Sequence, residues 1–298
     1  MTSPFSPERW AFEITHVLNV VLGAEHFPIN VTAVAQEYSA QKFPHDPISR
    51  IVADSLPGFD GALYKAPAGK KGWGIFYNNQ MRSTGRVNFT LAHEFGHYLL
   101  HRLAYPDGIR CGEQDFVQWD SEYGQVEHQA NIFAANLLMP LDDFRRLIQP
   151  DAVVDLDVIS DCAERYRVSL IATVLRWLSY TEKRAVLVVS RDGFILWARS
   201  SAKALRTGAF FRTSLGPIAV PVASLAAQGL TAQSLTAERQ TARQHDGGIW
   251  LPEPVLEMTV LSEQYDFAIS LLLLPNDPPP FEDRFGGPFS RFANRRTA

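Results

Sequence analysis

Hydrophobic residues recur at helical spacing over much of the first 180 residues, and two short strand-like segments interrupt them. Apolar positions from Trp10 to Val21 form a stripe that predicts a helix over residues 7–23. A second, short helix is predicted from Asn30 to Tyr38, with Asn30 placed to cap it. The same spacing predicts further helices at 88–103, 122–138 and 141–148, and two strands at 61–66 and 73–77.

The pattern changes after a predicted helix pair. Residues 158–166 and 169–178 predict two helices joined by a tight turn, with Ser169 as the cap of the second. From residue 185 the periodicity changes, and the apolar segments 185–190 and 194–198 on either side of Arg191-Asp192-Gly193 predict a β-hairpin. Further strands are predicted at 255–261 and 267–274, and the tail from residue 276 is rich in Pro, Gly and Arg and predicts no regular structure.

Composition and charge are typical of a globular protein and give no sign of a strongly charged partner. Of 298 residues, 46% are hydrophobic and 20% charged, and the formal net charge is −4. This balance indicates neither a nucleic-acid nor a membrane partner for the chain as a whole. No secretory pattern opens the sequence, no apolar run is long enough to span a bilayer, and Cys111 and Cys162 lack a ligand spacing. We expect a cytoplasmic protein with reduced thiols.

The strongest chemical pattern is His93-Glu94-Phe95-Gly96-His97, an H-E-x-x-H pentapeptide within a predicted helix. Residues four apart lie on one face of a helix, so both imidazoles can reach one tetrahedral metal ion. Glu94 projects beside them, where it can act as the general base that deprotonates water. The pattern predicts a zinc hydrolase, and its apolar flanks predict that the helix is buried.

A catalytic zinc ion takes three protein ligands, so a third ligand is expected downstream. Spacing leaves several candidates open, namely His101, Glu113, Asp115, Asp120, Glu122, Glu127 and His128. Three ligands from one straight helix crowd poorly around a tetrahedron, so His101 is better placed beside the site than on the metal. Glu127 begins a helix with small residues at Ala130, Ala134 and Ala135, which permit close approach to the first helix, but spacing favours it only modestly over His128.

Two sequence blocks resemble the ImmA/IrrE metallopeptidases. The first is residues 89–97, FTLAHEFGH, and the second is residues 127–140, which open with Glu127 and end in Leu-Leu-Met-Pro. Gly61-Ala62-Leu63 and Tyr77-Asn78 also fit, so the resemblance covers roughly Phe59 to Leu178. It implies that Glu127 is the third ligand beside His93 and His97, and that Glu94 is catalytic.

The resemblance also implies a fold and a substrate class. We expect an α+β chain with a minimal zincin-like metalloprotease domain at 1–150, a helix-turn-helix-like pair at 151–182, a β-rich, sensor-like domain at 183–275 and an irregular tail at 276–298. Family members cleave helix-turn-helix repressors encoded nearby, in responses to stress or mobile elements. A protein substrate of this kind, one Zn²⁺ per chain and no membrane partner are therefore expected, although His and carboxylate ligands also accommodate Mn²⁺ or Fe²⁺.

Two assignments stay open at this stage. His101 and Tyr123 are candidates for a group beside the ligands or for stabilising the oxyanion. The helix pair either contacts DNA, for which its second helix offers chiefly Ser169, Thr173 and Arg176, or is a packing element that supports the metal site or docks a protein partner. The alternative to a protease is a DNA- or protein-binding regulator, or a toxin–antitoxin component, that keeps the scaffold without proteolysis.

Overall fold

The computed structural model describes residues 5–23, 25–112, 122–231, 242–262 and 266–276. The chain divides into two compact units. One comprises Met1–Ile148 and Val158–Arg176, and the other comprises Gln149–Asp157 and Trp177–Ala298. Most of the predicted helix pair thus lies in the first unit, and the domain boundaries drawn from the sequence stay a prediction. Within the described ranges, no helix has the length and apolar character needed to cross a membrane.

The first unit combines helices with one small sheet. Its helices are α1 (Pro7–Leu22), α2 (Val31–Lys42), α3 (Thr84–His101), α4 (Glu122–Leu138), α5 (Leu141–Leu147) and most of α6 (Leu156–Tyr166) and α7 (Leu170–Leu178). Its strands are β1 (Ile48–Asp54), β2 (Phe59–Lys65), β3 (Trp73–Asn78) and β4 (Gly108–Gly112). The predicted helices and the two predicted strands are present, with bounds shifted by a few residues.

The sheet has the strand order β1-β3-β2-β4. β1 is parallel to β3, whereas β2 is antiparallel to both β3 and β4. The sequence analysis assigned no element to β1, and the structure gives the reason. β1 is an edge strand of which only Ile48 is buried, so it shows no alternation of apolar and polar residues.

The helix α3 begins four residues earlier than its apolar pattern predicts. The Ser83 side chain accepts a hydrogen bond from the backbone N–H of Arg86 and caps the helix. Arg86 in turn forms an ion pair with Asp60 at 2.6 Å. At Gly85, a Cβ would lie 2.9 Å from the carbonyl carbon of Val168, so the missing side chain lets the turn of the helix pair pack against α3.

A buried carboxylate joins α5 to α6. Asp143 accepts a hydrogen bond of 2.6 Å from the Tyr166 hydroxyl, and Arg146 and Arg165 lie at 3.0 and 3.4 Å from its oxygens. The Tyr166 ring stacks on Phe144 at a centroid distance of 5.7 Å. Because Asp143 is almost fully buried, these partners replace the water that its charge would otherwise require.

The second unit is built on an antiparallel sheet, which contains the predicted hairpin and the two further predicted strands. Its strands are β5 (Ala185–Arg191), β6 (Phe194–Ser200), β7 (Ile218–Ala219), β8 (Ala242–His245), β9 (Val255–Ser262) and β10 (Phe267–Leu273), in the order β7-β6-β5-β10-β9-β8. The short helices α8 (Ala202–Arg206) and α9 (Leu225–Thr231) were not predicted. The α+β class is confirmed, while the predicted irregular tail lies outside the described residues beyond residue 276.

One buried carboxylate organises the core of the second unit. Glu257 on β9 is fully buried and accepts hydrogen bonds from the backbone N–H groups of Leu225 and Ala226, both at 3.0 Å. It also accepts hydrogen bonds from His245 at 2.7 Å and Trp250 at 3.0 Å. A negative charge at the start of α9 is favourable because the first N–H groups of a helix lack partners within it.

Replacing Asp143 by asparagine tests the contact between α5 and α6. Burial raises the pKa of the Asp143 carboxyl, but Tyr166, Arg146 and Arg165 outweigh burial and hold the pKa below its usual value. A carboxylate of this kind stabilises the fold above its unfolded pKa, and the contribution is lost as the pH falls through the folded pKa. We expect Asp143→Asn to lower the free energy of unfolding by about 1–3 kcal/mol at pH 7, and by less below about pH 4.

Urea unfolding at pH 7 and pH 3 measures this difference. Asp142→Asn is the matched control, because Asp142 begins the same helix but its side chain is 59% exposed. An equal loss of stability in both variants, or a loss that does not depend on pH, would contradict the role given to Asp143.

Candidate metal centre

The helix α3 carries the H-E-x-x-H pattern through the interior of the first unit. All residues from Thr90 to His101 are buried, so the helix is enclosed on every side at this point. His93, His97 and His101 follow one another at intervals of four residues and therefore share one face. On other faces, Phe95 and Tyr98 pack into the aromatic core.

The helices α3 and α4 approach closely at Gly96. A Cβ at Gly96 would lie 2.9 Å from Cδ1 of Phe133 and 3.3 Å from Cα of Ala130. The absent side chain of Gly96 and the small side chain of Ala130 therefore allow the two backbones to meet. This contact places Glu127, one turn before Ala130, opposite the histidine face of α3.

Three potential ligand atoms converge between these helices. The Nε2 atoms of His93 and His97 are 2.9 Å apart, and the Glu127 oxygens lie 3.1 Å from the first and 3.3 Å from the second. The three residues are 5%, 0% and 3% exposed. Among the described residues, they are the group of His, Cys, Asp and Glu side chains that could hold a metal ion.

Burial and charge have opposing effects on these side chains. Burial lowers the pKa of His93, but its hydrogen bond to Glu127 and the charge of Glu94 outweigh burial and raise it. Burial, together with the charge of His93, lowers the pKa of His97 to about 3. Burial raises the pKa of Glu127, but its hydrogen bonds to both histidines hold that pKa well below its usual value. Neutral His97 and ionised Glu127 are the forms in which these residues bind metal ions.

The arrangement of donors suits a metal ion. In a tetrahedral zinc site with bonds of about 2.0–2.1 Å, neighbouring donor atoms are about 3.3 Å apart. The observed separations of 2.9 to 3.3 Å are close to this value. When both histidines are neutral with lone pairs on Nε2, these lone pairs and the carboxylate repel one another, and a cation between them would convert the repulsion into attraction.

Glu94 is fully buried beside His93 and lies against a glycine of the sheet. A Cβ at Gly61 on β2 would lie 2.5 Å from Oε1 of Glu94 and 2.7 Å from Cγ2 of Thr90. The space that the Glu94 carboxylate fills therefore exists because residue 61 has no side chain. The sequence analysis quoted Gly61 only as part of a family resemblance and did not foresee this contact.

The other predicted site residues are placed as follows. Nδ1 of His101 lies 3.0 Å from Nδ1 of His97, so His101 stands directly behind a predicted ligand. His128, the other candidate on α4, is exposed. The side chains of Glu113, Asp115, Asp120, Glu122 and Tyr123 lie outside the described part of the chain, as does that of Cys111. The roles of His93, His97 and Glu127 as ligands, and of Glu94 as base, stay predictions.

Two polar residues of α4 were missed by the sequence analysis. Oδ1 of Asn131 lies 3.0 Å from Nδ1 of His93, and Oε1 of Gln129 lies 3.0 Å from Nε2 of His101. Their spacing from Glu127 offered a signal, because residues 127 and 131 are four apart and share a helix face with the expected ligand.

The polar residues of the second helix of the pair are engaged inside the first unit. Thr173 is fully buried and donates to the backbone oxygen of Ser169. Arg176 donates to the backbone oxygen of Met139 at 2.8 Å and to Asn136 at 3.0 Å, at the end of α4. These contacts favour the packing hypothesis for the helix pair over DNA contact by the same side chains.

The family comparison covers the part of the chain that holds this cluster. Residues 47–178 match the family model Peptidase_M78, the IrrE N-terminal-like domain. The match includes both sequence blocks and confirms the resemblance to the ImmA/IrrE metallopeptidases. This part of the chain, less than half of its length, is therefore similar to a metallopeptidase domain. No curated protein matches the chain closely.

Removing the Glu127 carboxylate tests the proposed set of ligands. We expect about one divalent metal ion per chain in the wild type, and loss or strong weakening of binding in Glu127→Ala, because two histidines alone do not complete a site with three protein ligands. Elemental analysis of purified full-length protein gives the ratio. His128→Ala is the control, since His128 is the exposed neighbour on the same helix. Equal metal loss in both variants would contradict the assignment of Glu127.

A methyl group at residue 61 tests the space beside Glu94. We expect Gly61→Ala to lower the free energy of unfolding by about 1–3 kcal/mol, because the new Cβ collides with Glu94 and Thr90. Thermal unfolding of Gly61→Ala, Glu94→Ala and the double variant measures the coupling. Glu94→Ala removes one of the colliding groups, so the double variant should regain part of the stability lost in Gly61→Ala. Simple additivity would show that the two residues do not share this space.

Proposed function

We propose that this protein is a zinc-dependent, site-specific endopeptidase that cleaves a helix-turn-helix transcriptional repressor. The observation that carries the enzymatic part is the convergence of His93, His97 and Glu127 in a buried site, with Glu94 beside it. It occurs within an IrrE N-terminal-like domain. The repressor as substrate, and a role in a response to stress or to mobile elements, rest on the resemblance to the ImmA/IrrE family.

Each residue of the site has a distinct task. His93 and His97 would hold the metal ion through Nε2, and Glu127 through its carboxylate. Zinc bound there would supply Lewis acidity, which polarises a peptide carbonyl and makes water easier to deprotonate. Two imidazoles and one carboxylate are a donor set found in zinc peptidases.

Glu94 moves the proton. Its carboxylate would accept a proton from the attacking water and deliver that proton to the nitrogen of the departing amine. The backbone of α3 fixes Glu94 next to His93, and the gap at Gly61 accommodates its side chain. Because Glu94 is fully buried, its carboxylate is held in place rather than free in solvent.

Replacing Glu94 by glutamine separates proteolysis from binding. We expect wild-type protein with zinc to cut a helix-turn-helix repressor encoded beside its gene into two fragments. Glu94→Gln should slow this cleavage by about 10²–10⁴-fold, because an amide cannot take up the proton. Metal content should stay near one ion per chain. Gel electrophoresis and mass spectrometry of the fragments, with elemental analysis of both proteins, give these results.

Two outcomes would favour a function without proteolysis. A stable complex with the repressor, uncut by the wild type, would indicate a toxin–antitoxin or sequestering role. Salt-sensitive binding to DNA that is unchanged in Glu94→Gln would indicate a DNA-binding regulator. Either result, obtained with metal-loaded protein, would overturn the proposed protease.

A further inference from the structure

The second nitrogen of each metal-site histidine faces a side chain that can fix its protonation. Nδ1 of His93 lies 3.0 Å from Oδ1 of Asn131. Nδ1 of His97 lies 3.0 Å from Nδ1 of His101, and Nε2 of His101 lies 3.0 Å from Oε1 of Gln129. Asn131 therefore contacts His93 directly, whereas Gln129 is connected to His97 through the imidazole of His101.

A neutral imidazole carries one N–H group and one lone pair, on different nitrogens. To bind a metal ion through Nε2, a histidine must therefore carry its hydrogen on Nδ1, which then needs an acceptor. For His93 the acceptor is the amide oxygen of Asn131. An amide oxygen is always an acceptor, so this side of the site is fixed by a single contact.

His97 depends on the state of His101. The N–H group at Nδ1 of His97 can donate only if Nδ1 of His101 is a lone pair, which places the hydrogen of His101 on Nε2. That hydrogen then donates to the amide oxygen of Gln129. If Gln129 instead presented its amino group, His101 would carry its hydrogen on Nδ1, and Nε2 of His97 would lose the lone pair that binds metal.

We propose that Gln129, acting through His101, is a positioning residue that fixes the metal-binding tautomer of His97. This inference rests on the proposed metal site. In this proposal the first part of α4 has two roles. Glu127 supplies a metal ligand, and Gln129, two residues later, fixes the tautomer of the ligand His97 on α3. Neither Gln129 nor His101 contacts the metal or the substrate in this arrangement.

We call the chain of contacts from Gln129 through His101 to His97 the relay. Variants of Gln129 test the relay without disturbing the core, because Gln129 occupies an exposed position. Gln129→Met keeps a similar length and removes the acceptor oxygen, whereas Gln129→Glu keeps an oxygen that can only accept. The readout is the zinc dissociation constant of full-length protein, measured by competition with a chelator. We expect Gln129→Met to weaken zinc binding by about 10–100-fold, and Gln129→Glu to bind like the wild type.

A second pair of variants addresses His101. His101→Phe retains a ring but no acceptor, whereas His101→Asn places an amide oxygen near the position of Nδ1. We expect zinc binding to be weakened in the first and largely rescued in the second, with a matching change and recovery in the visible spectrum of the cobalt-substituted protein. The control is His128→Ala, an exposed neighbour of Gln129, which should bind zinc like the wild type.

The outcomes separate this inference from the proposed function. Absence of stoichiometric metal from the wild type would refute the metal site itself. Tight zinc binding by the wild type with unchanged affinity in Gln129→Met would overturn the relay and leave the metal site standing. Equal weakening in Gln129→Met and Gln129→Glu would also overturn it, because the accepting oxygen would then not be the cause.

Discussion

At Gly96 the backbones of α3 and α4 come so close that a methyl group would collide with Phe133 and Ala130. This contact sets the distance between the helix that carries both histidines and the helix that carries Glu127. The separations of 3.1 and 3.3 Å between the Glu127 oxygens and the two histidines depend on it. We expect a side chain at residue 96 to disturb this contact and with it the position of Glu127.

Neighbouring elements contact the end of α4 and the start of α3. Arg176 binds the last turn of α4, where backbone oxygens lack partners within the helix. The turn at Val168 packs against Gly85 at the start of α3, and Gly61 on β2 leaves room for Glu94. The helix pair and the sheet therefore pack against α3 and α4 and support the candidate metal site. Thr173 and Arg176 of the helix pair form their hydrogen bonds inside the first unit.

Metal binding at this site would be linked to the packing that forms it. Three donor groups that would otherwise be hydrated are gathered in an interior where a single uncompensated charge is costly. Burial and mutual hydrogen bonds shift their pKa values toward neutral His97 and ionised Glu127. Packing of α3 against α4 thus brings these donor groups together.

The sequence by itself determined the helices, the change to a β-rich second half and the pentapeptide at His93. Local spacing fixes these features, because hydrophobic period and residues four apart on a helix do not depend on distant contacts. It left the choice between Glu127 and His128 open by spacing, and it missed β1 and Gln129. Only the tertiary structure places Glu127 beside His93 and His97, forms β1 and brings Gln129 to His101, since exposure of an edge strand and the approach of one helix to another depend on residues far apart in the chain.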